Sequence, residues 1–200
     1  MLIFREIKLV YLANPKTGTT SFEHAFERFA DHKTSKALPK HVPFRRFRRK
    51  FPELARECEI VTSVRDPLDT LYSWYRYRAR PALRGHVNST FGLAFEAFLC
   101  EWCKAEPASF ADVGASVGFV LNEKGEISKR LKIFRYEERS SLQKHVAAKL
   151  GRDVPELARN VSRAKKDPTA LAPIRGTISR YPKLQKAYEI YDRIAFCKGG

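Results

Sequence analysis

The chain has 200 residues, 44% of them hydrophobic and 30% charged, enough for one substantial core and one domain spanning residues 1–200. Its formal charge of +16 points to anionic ligands, whether nucleotide, nucleic acid, acidic glycan or membrane surface, without choosing among them. No apolar run approaches the ~20 residues that span a bilayer, and the opening MLIFREIKLV lacks a cleavable signal pattern, so a cytoplasmic protein with an uncleaved first strand is expected.

The stretch YLANPKTGTTSFEHAF, residues 11–26, organises the N-terminal part. An apolar strand over residues 7–13 runs into a loop rich in hydroxyls and amides, and that loop opens into a helix. Backbone N–H groups at a helix start, backed by the helix dipole, favour an anion. Lys16 adds a full charge there, Gly18 supplies turn freedom, and Thr17, Thr19, Thr20 and Ser21 add hydroxyl donors. Phe22, Ala25, Phe26 and Phe29 fall on one helical face. The ATPase and kinase loop reads G-x-x-x-x-G-K-[ST], whereas here the lysine precedes the glycine. A phosphate-bearing ligand fits this turn better than a nucleoside triphosphate with Mg²⁺, and a plain strand-turn-helix corner is the simpler alternative.

Further along, residues 31–39 read as a polar loop, followed by a helix behind Pro43 with Phe44, Phe47 and Phe51 as its apolar stripe. Arg45, Arg46, Arg48, Arg49 and Lys50 form the opposite, basic face. Pro52 breaks or restarts that helix. His41 stands just before its start, where the positive end of the dipole would keep the imidazole neutral, the form a general base needs. EIVTSV, residues 59–64, is a β-branched strand of the kind found in parallel sheets covered on both faces. Asp66 and Pro67 then read as N-cap and first helical residue, with Asp69 as a first-turn carboxylate. Arg65 lies at the carboxyl end of the strand, where open α/β sheets bind ligands, and the next helix carries Ser73.

PKTGTTS after the first strand and V-R-D-P-x-x-x-x-x-S-x-Y after a later one together resemble the paired signatures of sulfotransferases that use 3'-phosphoadenosine 5'-phosphosulfate. The resemblance implies an α/β fold with a P-loop-like parallel sheet flanked by helices on both faces. It also implies that Lys16, Thr17, Gly18, Thr19, Thr20 and Ser21 grip the 5'-phosphosulfate, while Arg65 and Ser73 hold the 3'-phosphate. FVLNEKGEISKRLKIFRYEERSSL is similar to the family's hairpin and following strand, with a turn at residues 122–125. Asn160, Val161, Ser162 and the last helical stretch resemble carbohydrate-type members, which makes a carbohydrate hydroxyl the expected acceptor, acidic carbohydrates included. The R-K-G element of small-molecule members has no counterpart, since Arg175-Gly176 lacks the lysine. In this family Lys16 would stabilise the departing phosphate, and the base would be His41 or Glu23. No metal is expected.

The remaining segments read as scaffold. Residues 91–104 form a helix whose aromatic side is core, and residues 80–89 a loop that could close over a substrate. His24, His32 and His145 read as surface residues. Cys100 and Cys103 form a C-x-x-C pair without the second pair a zinc site wants, so the four cysteines read as buried, reduced thiols. Two readings of other classes remain. A nucleic-acid-binding module would use the Phe/Arg interleaving of residues 44–51, and a kinase-like nucleotide enzyme would have to tolerate the displaced lysine.

Overall fold

The computed structural model describes residues 1–33, 35, 39–154 and 171–197. These residues form an α/β fold with a four-stranded, mainly parallel sheet flanked by helices. The chain divides into two compact units, one built from residues 1–65, 116–154 and 194–197, the other from residues 66–115 and 171–193.

The first unit contains the sheet. Strands β1 (Leu2–Phe4), β2 (Leu9–Tyr11), β3 (Glu59–Val64) and β4 (Leu131–Arg135) lie side by side in that order. β2, β3 and β4 are mutually parallel, with Val10 opposite Ile60 and Ile60 opposite Leu131. β1 pairs antiparallel with β2, so the expected all-parallel sheet carries one antiparallel edge. The opening ten residues are accordingly a hairpin rather than a single strand, and residues 7 and 8 belong to its turn. Lys8, at φ 47°, takes a left-handed conformation there.

Burial on both faces follows from the residue types. Leu9, Val10, Tyr11, Ile60, Val61 and Thr62 are all buried although neighbours along a strand point to opposite sides, so both faces are covered. On one face, helix α1 (Thr19–Phe26) and helix α6 (Arg139–Leu150) share a core with Tyr11, Val61 and Phe134 through Phe22, Phe26, Leu142 and Val146. Tyr11, Phe22 and Phe26 form a ladder of rings with centroids 4.1 and 4.5 Å apart. Helix α2 (Phe44–Lys50) buries Phe44 and Phe47, exposes its arginines, and ends where Pro52 starts helix α3 (Pro52–Glu57).

Of the expected hairpin the turn at residues 122–125 is present, closed by a single antiparallel bridge between Leu121 and Ile127 and not by two strands. Gly125, at φ 76°, donates its N–H to the Asn122 carbonyl, and the Asn122 side-chain oxygen accepts from the N–H groups of Lys124 and Glu126. His145 is more than a surface residue. Its Nε2 lies 2.7 Å from Glu59 Oε1, and Lys132 and Lys149 approach the same carboxylate. Burial alone would raise the pKa of Glu59, but hydrogen bonds from Lys132 and His145, with the Lys149 charge, bring it down to about 2.

The second unit is helical: α4 (Pro67–Arg78), α5 (Phe95–Cys103), α7 (Ala172–Arg175) and α8 (Pro182–Asp192). Leu68, Leu71, Phe98, Leu99, Trp102 and Leu184 make its core. Asp66 caps α4 as expected, its carboxylate accepting from the Asp69 N–H at 2.9 Å. Arg175 donates to both Asp66 and Asp69 at 3.1 Å, and the Tyr188 hydroxyl donates to Asp66. α5 begins four residues later than its aromatic pattern suggests. Gly92 turns the chain at φ 80° and leaves Phe91 exposed instead of in the core. The four thiols are free, but Cys100 is exposed and the others are half-buried, so they are not core residues. Asn160, Val161 and Ser162 lie outside the described residues.

Candidate functional site

The loop from β2 to α1 is the candidate anion site. Lys16 and Gly18 both adopt left-handed conformations, φ 65° and 71°, and Gly18 is the residue on which α1 starts. Alternation of left-handed with ordinary residues turns successive N–H groups to one side, and at this point the helix dipole adds its positive end. For Lys16 this backbone is unusual and costs strain of order 1–3 kcal/mol, the kind of cost that clusters at ligand sites. Gly18 fits because of its backbone: its φ suits glycine, while a Cβ there would meet Tyr136 Cε2 at 3.4 Å, an ordinary contact.

The loop is held from below by buried polar bonds. Asn14, 1% exposed, donates through Nδ2 to the Ser63 carbonyl at 2.9 Å and to the carbonyl and hydroxyl of Ser116 at 3.1 Å. The Thr17 hydroxyl donates to the Asn14 carbonyl at 2.8 Å, so it closes the turn instead of pointing a donor outward as its sequence position suggests. Thr19 is buried, Thr20 is exposed and accepts a bond from Lys40 at 3.2 Å, and Ser21 is half-buried.

Arg65 reaches this loop from the end of β3. Its N–H donates to the Ser116 hydroxyl at 3.0 Å, its Nη1 donates to the Lys16 carbonyl at 3.2 Å, and its guanidinium lies 4.9 Å from the centre of the Tyr136 ring. Lys16, Arg65 and Tyr136 therefore come from the carboxyl ends of the three adjacent parallel strands, the edge where such sheets bind ligands. Ser73 belongs to the second unit, half-buried on α4.

Both candidate bases are in the first unit. His41 is exposed overall, yet its Nδ1 lies 2.7 Å from the Ala13 carbonyl, the residue just before the loop. A carbonyl only accepts, so Nδ1 carries the proton and Nε2 holds the lone pair. Partial desolvation lowers the pKa of this histidine, and the nearby Lys40 charge pushes the same way, against the opposing effect of the Ala13 bond. Desolvation thus favours the neutral form. Glu23 is engaged by two ammonium groups: the amino group of Met1 lies 2.8 Å from Oε1 and Lys40 Nζ 2.7 Å from Oε2. Burial would raise its pKa, but these partners outweigh burial and lower it.

Asn14, Lys40, Ser116 and Tyr136 are site residues that sequence reasoning misses. Tyr136 had a usable signal, since it follows β4 directly and the strand-end rule that selects Arg65 selects it too. Ser116 had none, because 102 residues separate it from the Asn14 it meets.

The structure thus defines an α/β protein whose strand-loop-helix corner lies at the carboxyl edge of parallel strands, the place where such sheets bind ligands. Its fold is that of sulfotransferases. The mouse sulfotransferase SULT7A1, crystallised with PAP, superimposes with a TM-score of 0.53 at 16% identity, over 96% of this chain and 93% of that one. A sulfotransferase from Alicyclobacillus acidocaldarius aligns with a TM-score of 0.37 at 15% identity, over 90% of this chain and 77% of that one. Neither a protein-family model nor a curated protein sequence matches the chain.

Proposed function

We propose that this chain is a sulfotransferase that moves a sulfuryl group from 3'-phosphoadenosine 5'-phosphosulfate to a hydroxyl or amine of an acceptor, with carbohydrate as the acceptor class and residues 1–200 acting as one domain. The observation that carries this reading is the left-handed pair Lys16 and Gly18 in front of α1, tied through the Lys16 carbonyl to the buried Arg65. A nucleotide carrying anionic groups at both ends of its ribose fits such a site, since the N–H groups of a helix start, one lysine and one arginine are gathered there. When bound, the donor supplies a sulfuryl group on a phosphate leaving group. Lys16 and the backbone of Thr17, Gly18, Thr19, Thr20 and Ser21 hold the 5' end, and Arg65 with Ser73 holds the 3'-phosphate. Lys16 and the start of α1 favour negative charge as it grows on the leaving oxygen, a role in which one lost donor costs about 10²- to 10³-fold in rate.

His41 takes the acceptor proton. Its Nδ1 is fixed on Ala13, its Nε2 lone pair is available, and its lowered pKa keeps that lone pair at neutral pH. Glu23, the other candidate, is committed to two ammonium groups and fits better as the residue that positions Lys40 next to His41. The test is incubation with labelled sulfate donor and a panel of acceptors, read by mass gain. Transfer to a saccharide is expected. Absence of transfer together with absence of binding by 3'-phosphoadenosine 5'-phosphate would overturn the reading.

A nucleic-acid-binding module is the reading that α2 favours, because Arg45, Arg46 and Arg49 are exposed and have no carboxylate partner among the described residues. Binding to a phosphate backbone would fall steeply with salt, whereas a pocketed nucleotide is much less sensitive.

A further inference from the structure

The large hydrophobic side chains that stand exposed among the described residues are Tyr77, Val87, Phe91 and Leu93, all in one stretch of the second unit. Val87 is 72% exposed, and residues 91–94, Phe-Gly-Leu-Ala, are four consecutive exposed apolar positions. Such a run on a protein surface is a liability unless something covers it. It is also held in place. Thr90 donates through its N–H to the Arg78 carbonyl and through its hydroxyl to the Tyr75 carbonyl, and the Tyr75 hydroxyl donates to the Leu93 carbonyl at 2.6 Å. The segment around Phe91 is thus fastened to the end of α4, next to Tyr77.

Charge identifies what fits. Residues 70–95 contain Arg76, Arg78, Arg80 and Arg84 and no Asp or Glu. The exposed Arg80 guanidinium lies 4.4 Å from the centre of the Tyr77 ring, and that of the exposed Arg84 lies 4.9 Å from Phe91. Each pair joins an apolar body to a cationic tip, the chemistry favoured where hydrocarbon meets headgroups. An acidic polymer would take the arginines and leave Val87 and Leu93 in water. A second copy apposing the same surface would set Arg80 and Arg84 against like charges. No helix among the described residues is long and apolar enough to cross a membrane.

We propose that the surface formed by the end of α4 and residues 80–94 docks on an anionic lipid bilayer, with Val87, Phe91 and Leu93 entering the headgroup boundary and Arg80 and Arg84 pairing with lipid phosphates or carboxylates. This goes beyond the sulfotransferase reading and does not depend on it.

The test is co-sedimentation with vesicles of phosphatidylcholine alone or with added phosphatidylserine, at low and raised salt. Wild type pellets with the anionic vesicles and not with the neutral ones. Phe91→Ser with Leu93→Ser, and separately Arg80→Gln with Arg84→Gln, each weaken binding by about 10-fold or more. Because these side chains are exposed, thermal melts should match wild type. The triple variant Arg45→Gln, Arg46→Gln, Arg49→Gln on α2 should bind almost as well as wild type. The proposal is overturned if the α2 variant abolishes binding while the patch variants retain it, or if no vesicle binds. It is equally overturned if the patch variants turn a dimer into a monomer without changing vesicle binding.

Discussion

At the scale of single residues, His41 and Lys16 are separable by experiment. His41→Ala is expected to lower the single-turnover rate by about 10²-fold or more, the usual scale for a lost base, with melting temperature and nucleotide affinity near wild type. Glu23→Gln should instead lower the melting temperature, since it leaves Lys40 and the Met1 amine without their carboxylate, and should spare the chemical step by comparison. The reverse pattern would make Glu23 the base. The sign of the pH effect follows from His41 having a lowered pKa. The working form is neutral, so the acid limb of the rate profile should fall below the ordinary histidine value of about 6.5, and the limb should disappear in His41→Ala. Lys16→Ala should reduce turnover more than it weakens nucleotide binding, because its charge matters most as the leaving oxygen becomes anionic. A variant that loses affinity but keeps turnover at saturation would make Lys16 a plain anchor.

At the scale of elements, two junctions lend themselves to measurement. Gly18 starts α1 in a left-handed conformation beside the Tyr136 ring, and Gly18→Ala should cost about 1–2 kcal/mol of stability from conformation alone. It should also abolish nucleotide binding, read by calorimetry, because relaxing the strain rotates the N–H groups of the cradle. The second junction is Glu59, which ties the start of β3 to Lys132 on β4 and to His145 and Lys149 on α6. Its folded-state pKa of about 2 lies below the usual glutamate value, so its stabilisation is fully present above the unfolded value of about 4.5 and is lost as pH falls toward 2. Urea unfolding from about pH 4.5 down to about pH 2, the interval set by those values, should show wild type losing stability with acid more steeply than Glu59→Gln. Parallel slopes would show that the carboxylate does not couple the three elements.

At the scale of the whole molecule, the donor nucleotide is the informative probe, because a ligand that binds only the native state raises the melting temperature by mass action. 3'-phosphoadenosine 5'-phosphate should raise it more than ADP or AMP, which lack the group assigned to Arg65 and Ser73. Arg65→Ala and Ser73→Ala should each erase that preference. Equal shifts from all three nucleotides would remove the second motif from the site.

Local chemistry was legible in the sequence. The turn between β2 and α1, the Asp66 cap, the Asn122 turn and the aromatic face of α1 each depend on residues a few positions apart, and their side chains and backbone preferences act over that range. The late start of α5 was legible only in part, since the aromatic period continues back through Phe91 while Gly92 turns the chain before the helix begins. What only the tertiary structure decided are contacts that close long loops. Asn14 meets Ser116, Arg65 reaches the Lys16 carbonyl, Tyr136 lies against Gly18, and His41 hangs by Nδ1 from Ala13. The order of parallel strands sets these meetings, and no pattern within a window of sequence encodes which distant strand end will be the neighbour. The partners of His41 and Glu23 are of the same kind, because a residue type states what a side chain can do and its partners bias the protonation state in which it is held.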